Sequence, residues 1–275
     1  MDKKKDKRVR QPIVDGIFYP ASGEELTALI ESYAEDLIPG ESDLIYTPHA
    51  GYSVAGKLMA EAFISAAKRN IKEVVIISPV HREESDTIIL PNFKFFETPL
   101  GQIPINMKSL HLFQNEDSLI VRNDIPHLEE HSIEDQLPFI QFLFPEATIL
   151  PVLMGKTTIS LVRKVAKGLE RAYSGDRNDV LFVATGNLSS YAGREESLSA
   201  AEKALSLFSG GDWRSIIENR RTGNIEACGA GPLSAFLAYF GTALSMKVLS
   251  RSESVGKESE KGKTVAYGAL SFKED

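Results

Sequence analysis

Two short stretches place a proline and a histidine directly after an apolar run: Thr47-Pro48-His49-Ala50-Gly51-Tyr52 after Leu44 to Tyr46, and Ser78-Pro79-Val80-His81 after Val74 to Ile77. Neutral imidazole is the commonest transition-metal ligand. If both runs are strands of one parallel sheet, their carboxyl ends share the edge where open α/β sheets bind ligands, and two histidines distant in sequence meet there. Taken singly, each histidine also reads as a strand cap or a donor to a loop. Their shared placement is what favours a metal.

Cys228 lies in Glu226-Ala227-Cys228-Gly229-Ala230-Gly231-Pro232, a turn running into a helix whose first turn holds Pro232. A thiol near a helix N-terminus has a depressed pKa, which suits a metal-bound thiolate or a reactive sulfur. A lone cysteine also reads as a small, inert, buried hydrophobe. His131 stands in Glu129-Glu130-His131-Ser132-Ile133-Glu134-Asp135, where Ser132 and Asp135 have capping-box spacing. A ring near that helix start would be neutral and able to accept a proton near pH 7. Glu130 and Glu134 pull the other way, and a solvated loop histidine is the alternative. His111 and His127 read as surface residues. Gly186-Asn187-Leu188-Ser189-Ser190-Tyr191 follows the apolar run Val180 to Thr185. It brings amides and hydroxyls to the same edge, for hydrogen bonds to a substrate or to metal ligands.

The elements that must position these residues alternate between strand and helix. Helical spacing of apolar residues marks Glu24 to Leu37 with Ser22 as its cap, Val54 to Ala67, a helix from near His131 to Pro145, Ile159 to Tyr173, Glu195 to Phe208, Asp212 to Asn219 and Leu233 to Ala243. Strands are expected at Val74 to Ser78, Thr87 to Leu90, Ile103 to Ile105, Ala147 to Met154, Val180 to Thr185, Met246 to Leu249 and Thr264 to Phe272, with a polar loop from Ser250 to Lys263. Neither a repeat nor a dividing linker is visible, so one domain is expected.

The 275 residues are 43% hydrophobic and 25% charged, ordinary for a soluble globular chain. No apolar stretch approaches the roughly 20 residues that span a bilayer, and the N-terminus lacks the apolar core of a signal peptide. A cytoplasmic protein is expected, with no membrane partner. Cys228 is the sole cysteine, which excludes an intramolecular disulfide, a zinc ribbon or a thioredoxin-type pair. Residues 1–10 carry net +4 against −7 for the chain, leaving −11 elsewhere. That balance argues against nucleic acid and marks a solvated, disordered basic head.

Taken together, Arg10-Gln11-Pro12, Gly16-Ile17-Phe18-Tyr19-Pro20, Pro48-His49-Ala50-Gly51-Tyr52, Ser78-Pro79-Val80-His81, Glu130-His131-Ser132-Ile133-Glu134-Asp135-Gln136-Leu137-Pro138-Phe139, Cys228-Gly229 with Pro232, and Val265-Ala266-Tyr267-Gly268 resemble the Memo family over nearly the whole chain. The resemblance implies an α/β fold like that of the class III extradiol dioxygenases, with a central mostly parallel or mixed sheet flanked by helices on both faces, over residues 11–275. It implies iron or copper, with zinc a further candidate, held by His49, His81 and Cys228. His131 would be the additional site histidine, and Tyr52, Asn187, Ser190 and Tyr191 would contact a ligand or support the site. It also implies partners from the AmmeMemoRadiSam set, a radical-SAM protein and a third component.

One departure stands out. The family usually carries Asp-Leu-Ser-His-Tyr where this chain has Asn187-Leu188-Ser189-Ser190-Tyr191. Ser190 does not titrate near neutrality, and Asn187 brings no charge to balance a cation. The expectation is therefore a metal-binding, redox-active protein. The alternative is a degenerate homologue that binds a small molecule or peptide, or serves as a partner subunit. A serine hydrolase based on Ser189 or Ser190 is weaker, because the Gly-x-Ser-x-Gly elbow is missing.

Overall fold

The computed structural model describes residues 8–82, 85–175, 177–191, 193–241, 244–254 and 263–274. Its elements run β1 (Val9–Arg10), α1 (Gly23–Ala34), β2 (Leu44–Thr47), α2 (Tyr52–Ile64), β3 (Glu73–Pro79), β4 (Ile88–Leu90), β5 (Phe95–Thr98), β6 (Gly101–Pro104), α3 (Met107–Gln114), β7 (Ile120–Arg122) and α4 (Asp124–Glu129). After a 3₁₀ turn (Glu134–Gln136) come α5 (Leu137–Leu143), β8 (Thr148–Met154), α6 (Ile159–Ala172), β9 (Val180–Thr185), β10 (Ser189–Tyr191), α7 (Arg194–Gly210), α8 (Trp213–Arg221), α9 (Ala230–Phe240), β11 (Leu244–Ser254) and β12 (Thr264–Glu274).

The main sheet is open and mixed, in the order β10-β12-β2-β9-β3-β8-β4-β7, with β11 paired along β12. Its centre, β2-β9-β3-β8, is parallel, and every residue of β2, β3 and β9 is buried. Strands covered on both faces need continuous apolar runs, which is why these segments lack alternation. The crossovers β2-α2-β3 and β3 to β8 step one way along the sheet, whereas β8-α6-β9 steps back. Right-handed crossovers therefore put α2 and α5 on one face and α6 on the other. The packing agrees: α2 meets α1 and α5, while α6 meets α3 and α9. A small sheet, β1-β5-β6, stands apart from the main one.

Several elements differ from their sequence expectation. The helix expected from His131 is broken into the 3₁₀ turn and the short α5. Ser132 caps nothing there; its hydroxyl meets Ser78 and its N–H donates to Glu130 at 3.2 Å. The strand expected at Met246 to Leu249 continues to Ser254 as β11, because β12 offers a full-length partner to a polar sequence that carries no apolar alternation of its own. Residues 255–262 of the expected loop lie outside the described residues, as do 242–243 of the last expected helix and 1–7 of the basic head. That helix starts at Ala230, three residues earlier than expected. Val9 and Arg10 pair with β5, and Arg10 is wholly buried. The short elements β1, β5, α3, β7, α4 and β10 were too brief to show a period, although Asn106 does cap α3 by accepting from Lys108 and Ser109.

Candidate metal centre

Thr47 at the end of β2 is in register with Thr185 at the end of β9, and Ile77 of β3 is in register with Ala184. His49 and His81 thus leave the same sheet edge from strands on either side of β9. Neighbouring strands are about 4.8 Å apart, so the two backbones start roughly 10 Å from each other. Both imidazoles lean inward over the end of β9, and their ring centroids come to 4.9 Å at an interplanar angle of 81°.

Cys228 arrives from the segment before α9. Gly186 and Gly229 make that approach possible: a Cβ on Gly186 would lie 2.3 Å from the Gly229 backbone, and one on Gly229 would lie 2.6 Å from the Tyr46 ring. The half-buried Cys228 Sγ sits 3.6 Å from His49 Nε2 and accepts the Asn187 N–H at 3.0 Å. One donor atom from each of His49, His81 and Cys228 lies within 4.8 Å of the other two.

Those donors fit an ion. With metal–sulfur and metal–nitrogen bonds of about 2.3 and 2.0 Å, a tetrahedral site separates S from N by about 3.6 Å. The Cys228–His49 spacing matches, and the other donor separations are at most 4.8 Å. Two imidazoles and a thiolate are also a borderline-to-soft donor set suited to copper, zinc or iron.

Each donor has a partner behind it. His49 is 4% exposed and its Nδ1 lies 3.0 Å from Thr185 Oγ1, which receives Gln136 Nε2 at 3.4 Å. The His81 side chain is 37% exposed and opens the cluster to solvent, while its Nδ1 lies 3.0 Å from Glu130 Oε2. Burial works against charge on His81, but hydrogen bonds and negative charge from Cys228 and Glu130 outweigh it and raise the ring to about 10. Burial likewise pushes the Cys228 thiol up, yet His49 and His81 together bring it down to about 5. Burial would raise Glu130, but the bond and charge of His81, with the other two histidines, hold it well below the usual carboxylate range.

His131 joins the cluster without donating to it. Its ring is 5.9 Å from that of His49, 6.1 Å from that of His81, and 5.0 Å from the edge-on ring of Phe18. Its pKa falls to about 4, chiefly through burial and the charges of His49 and His81. The balance left open in the sequence, dipole against Glu130 and Glu134, thus falls to the neutral ring through burial and the neighbouring histidines.

The other candidate residues are placed differently. Tyr52 is buried at the start of α2, where its hydroxyl donates to the Asp135 carbonyl at 2.8 Å and its ring packs on Tyr19 and Phe139. Asn187 lies beside Cys228; its carbonyl accepts from Tyr46 at 2.9 Å, and its side-chain Oδ1 is buried without a hydrogen-bond partner. Ser190 and Tyr191 are paired in the ladder opposite Val265 and Thr264. His111 is exposed as expected. His127 is not a surface residue: it is 2% exposed, meets the Phe96 ring at 6.0 Å, and burial lowers it to about 3. It follows a proline and read as a surface residue, but α4 folds it against Phe96 of β5.

Glu130, Thr185 and Phe18 belong to the site and were not singled out for it in the sequence. Thr185 carried a usable signal, because it ends a central parallel strand. Glu130 carried none beyond adjacency to His131, and Phe18 none beyond its place in the Gly16 to Pro20 stretch.

A family model described as Memo-like protein matches residues 10–271. The "MEMO1 family protein" of Thermotoga neapolitana is 29% identical over 243 residues, covering 83% of this chain and 87% of that relative. The relative of the same description from Thermoplasma acidophilum is 28% identical over 84% of this chain and 85% of its own length. The one from Ignicoccus hospitalis is 29% identical over 96% of this chain and 98% of its own.

Proposed function

Because the chain belongs to the Memo family, we propose that it binds one transition-metal ion through His49, His81 and the Cys228 thiolate, with His131 as the ligand-orienting group beside it. The convergence of these three donors, all within 4.8 Å, carries the reading. Bound iron would supply a redox centre with positions free for O₂ or an anionic ligand, whereas copper(I) would be satisfied by two imidazoles and the soft thiolate.

The chain's own residues supply the rest. Brought down to about 4, His131 is neutral near pH 7 and a weak base there, so its ring serves chiefly to orient, by a hydrogen bond, a ligand lying against His49 and His81. Phe18 packs edge-on against one side of that ring. The Asn187 N–H stabilises negative charge on Cys228 Sγ, as does the neighbouring imidazole. The likeness to class III extradiol dioxygenases, and a partnership with a radical-SAM protein and a third component, belong to the same proposal.

Asn187 and Ser190 favour a second reading, a Memo homologue that binds a ligand or partner without turnover. The titrating residue usual at 190 is missing, and Ser190 is engaged in the β10 ladder.

Anaerobic purification without chelator, followed by mass-spectrometric counting of iron, copper and zinc, tests the metal. The parent should carry close to one ion per chain, and His49→Ala, His81→Ala and Cys228→Ser should each lose it. A parent that stays metal-free after reconstitution leaves only the binding-protein reading.

A further inference from the structure

We propose that Glu130 is the positioning residue that presents His81 Nε2 to the ion, and that Thr185 does the same, more weakly, for His49. The inference rests on the metal reading above and adds what holds each ring in place.

Glu130 is a buried carboxylate, 4% exposed, in the loop after α4. Its Oε2 accepts from His81 twice, from the backbone N–H and from ring Nδ1, each at 3.0 Å. Two bonds from one residue to one oxygen fix the ring's rotation as well as its position. With Nδ1 committed, Nε2 is the only ring nitrogen left for an ion. The other oxygen, Oε1, accepts the Ser132 N–H at 3.2 Å and lies 3.5 Å from His131 Nδ1. One carboxylate therefore spans a ligand histidine and the free histidine, and sets the 6.1 Å between their rings.

His49 has the parallel arrangement with a neutral partner. Its Nδ1 meets Thr185 Oγ1 at 3.0 Å while its Nε2 faces Cys228 Sγ at 3.6 Å. Gln136 Nε2 donates to the same hydroxyl at 3.4 Å and to the Pro48 carbonyl at 3.0 Å, so Thr185 Oγ1 is held in place and keeps a second lone pair for the His49 Nδ1–H. The two supports differ in charge. A carboxylate increases the basicity of the ring that donates to it and adds a negative charge near the ion; a hydroxyl only orients. Outer partners of metal-bound histidines typically contribute about 10- to 100-fold in affinity. Glu130 belongs at the upper end of that range and Thr185 at or below the lower.

Cobalt(II) is the probe, because its thiolate charge-transfer band reports Cys228 and its visible bands report the donor set. The parent, Glu130→Gln, Glu130→Asp, Thr185→Val and His81→Ala are titrated anaerobically, and each is melted in chelator to confirm an intact fold. The expected result is a loss of about 10- to 100-fold for Glu130→Gln, a smaller loss for Thr185→Val and partial rescue by Glu130→Asp. The thiolate band should persist wherever cobalt binds. Cobalt affinity in Glu130→Gln equal to the parent's, with binding abolished in His81→Ala, overturns this inference alone. A parent that takes up no cobalt overturns the metal reading and this inference with it.

Discussion

Cys228 and His81 set the proton cost of filling the site. With the thiol at about 5 and the imidazole at about 10, the metal-free cluster between those values holds a thiolate and an imidazolium. Coordination leaves the thiolate as it is but must displace the proton on His81 Nε2. Binding at pH 7 should therefore release about one proton from this pair, and affinity should rise roughly tenfold per pH unit between about 5 and 10. Below about pH 5 Cys228 is also protonated, and the dependence should steepen. Calorimetry in buffers of different ionisation enthalpy measures the released proton directly. No release at pH 7 would mean that His81 is either neutral before the ion binds or not a ligand, and the metal content of His81→Ala separates the two.

Asn187 raises a separate expectation at the same scale. Its buried Oδ1 has no partner, and its backbone already touches Cys228. Asn187→Asp places a negative charge there without adding bulk, so it should favour a divalent ion over copper(I). Competition between cobalt(II) and copper(I) in the two proteins is the measurement. An unchanged preference would remove residue 187 from the electrostatics of the site.

The three candidate ligands were legible because each stands where a regular element ends or begins, and such positions are readable from apolar runs. Glu130 was not, since a carboxylate turned inward looks in sequence like any other in the run Glu129-Glu130. His127 was misread as a surface residue because nothing local announced that Phe96 would cover it.

Among the elements, the meeting of the β9 end with the start of α9 decides whether the thiol reaches the histidines. Gly186 and Gly229 touch there with no room for a methyl group. Gly186→Ala should cost about 1–3 kcal/mol in urea unfolding, because overpacking against backbone is relieved only by moving one chain segment. The same shift carries Cys228 away from His49, so metal occupancy should fall even where the variant is folded. Full occupancy together with parental stability would show that the loop yields without moving the sulfur.

The central strands β3, β8 and β9 and helices α1, α2, α6 and α7 announced themselves through long apolar runs or strong periodicity. The segment from Pro91 to Gln136 did not. Its pieces are short, and they owe their form to neighbours: β5 to β1 and β6, and α4 to the aromatic cover over His127. A helix continuous from His131 was the natural reading of Ile133, Leu137, Ile140 and Phe144. In the fold the first turn tightens to 3₁₀, with Glu134 turned into a network of its own.

Across the whole molecule, that network ties the beginning of the described chain to the site loop. The buried Arg10 guanidinium pairs with Glu134, and donates to the His127 carbonyl at 2.9 Å and the Glu130 carbonyl at 3.0 Å. Glu134 also accepts from the backbone of Ile13 and Val14 at 3.0 Å and from the Tyr19 hydroxyl at 2.6 Å. Arg10→Met leaves a buried carboxylate without its cation, a change that typically costs about 3–5 kcal/mol. The expected readout is a correspondingly lower urea midpoint, with weaker metal binding because Glu130 and His131 are loosened together. A midpoint within error of the parent's would show that the strap contributes little to the fold. From sequence, Arg10 counted both as a charge in the basic head and as the start of Arg10-Gln11-Pro12; the partner 124 positions away gives it its structural role.

The separation of the ligands along the chain also sets an order of events during synthesis. His49 leaves the ribosome 179 residues before Cys228, and β12, which completes the edge beside β2, follows later still. Until Cys228 is made, the nascent protein holds two imidazoles for this place and no thiolate, a pair with weak hold on a soft ion. Such non-local closure is slow, because distant segments must meet before any contact repays the lost chain entropy. On the metal reading proposed above, the site can close on an ion only once Cys228 has been made.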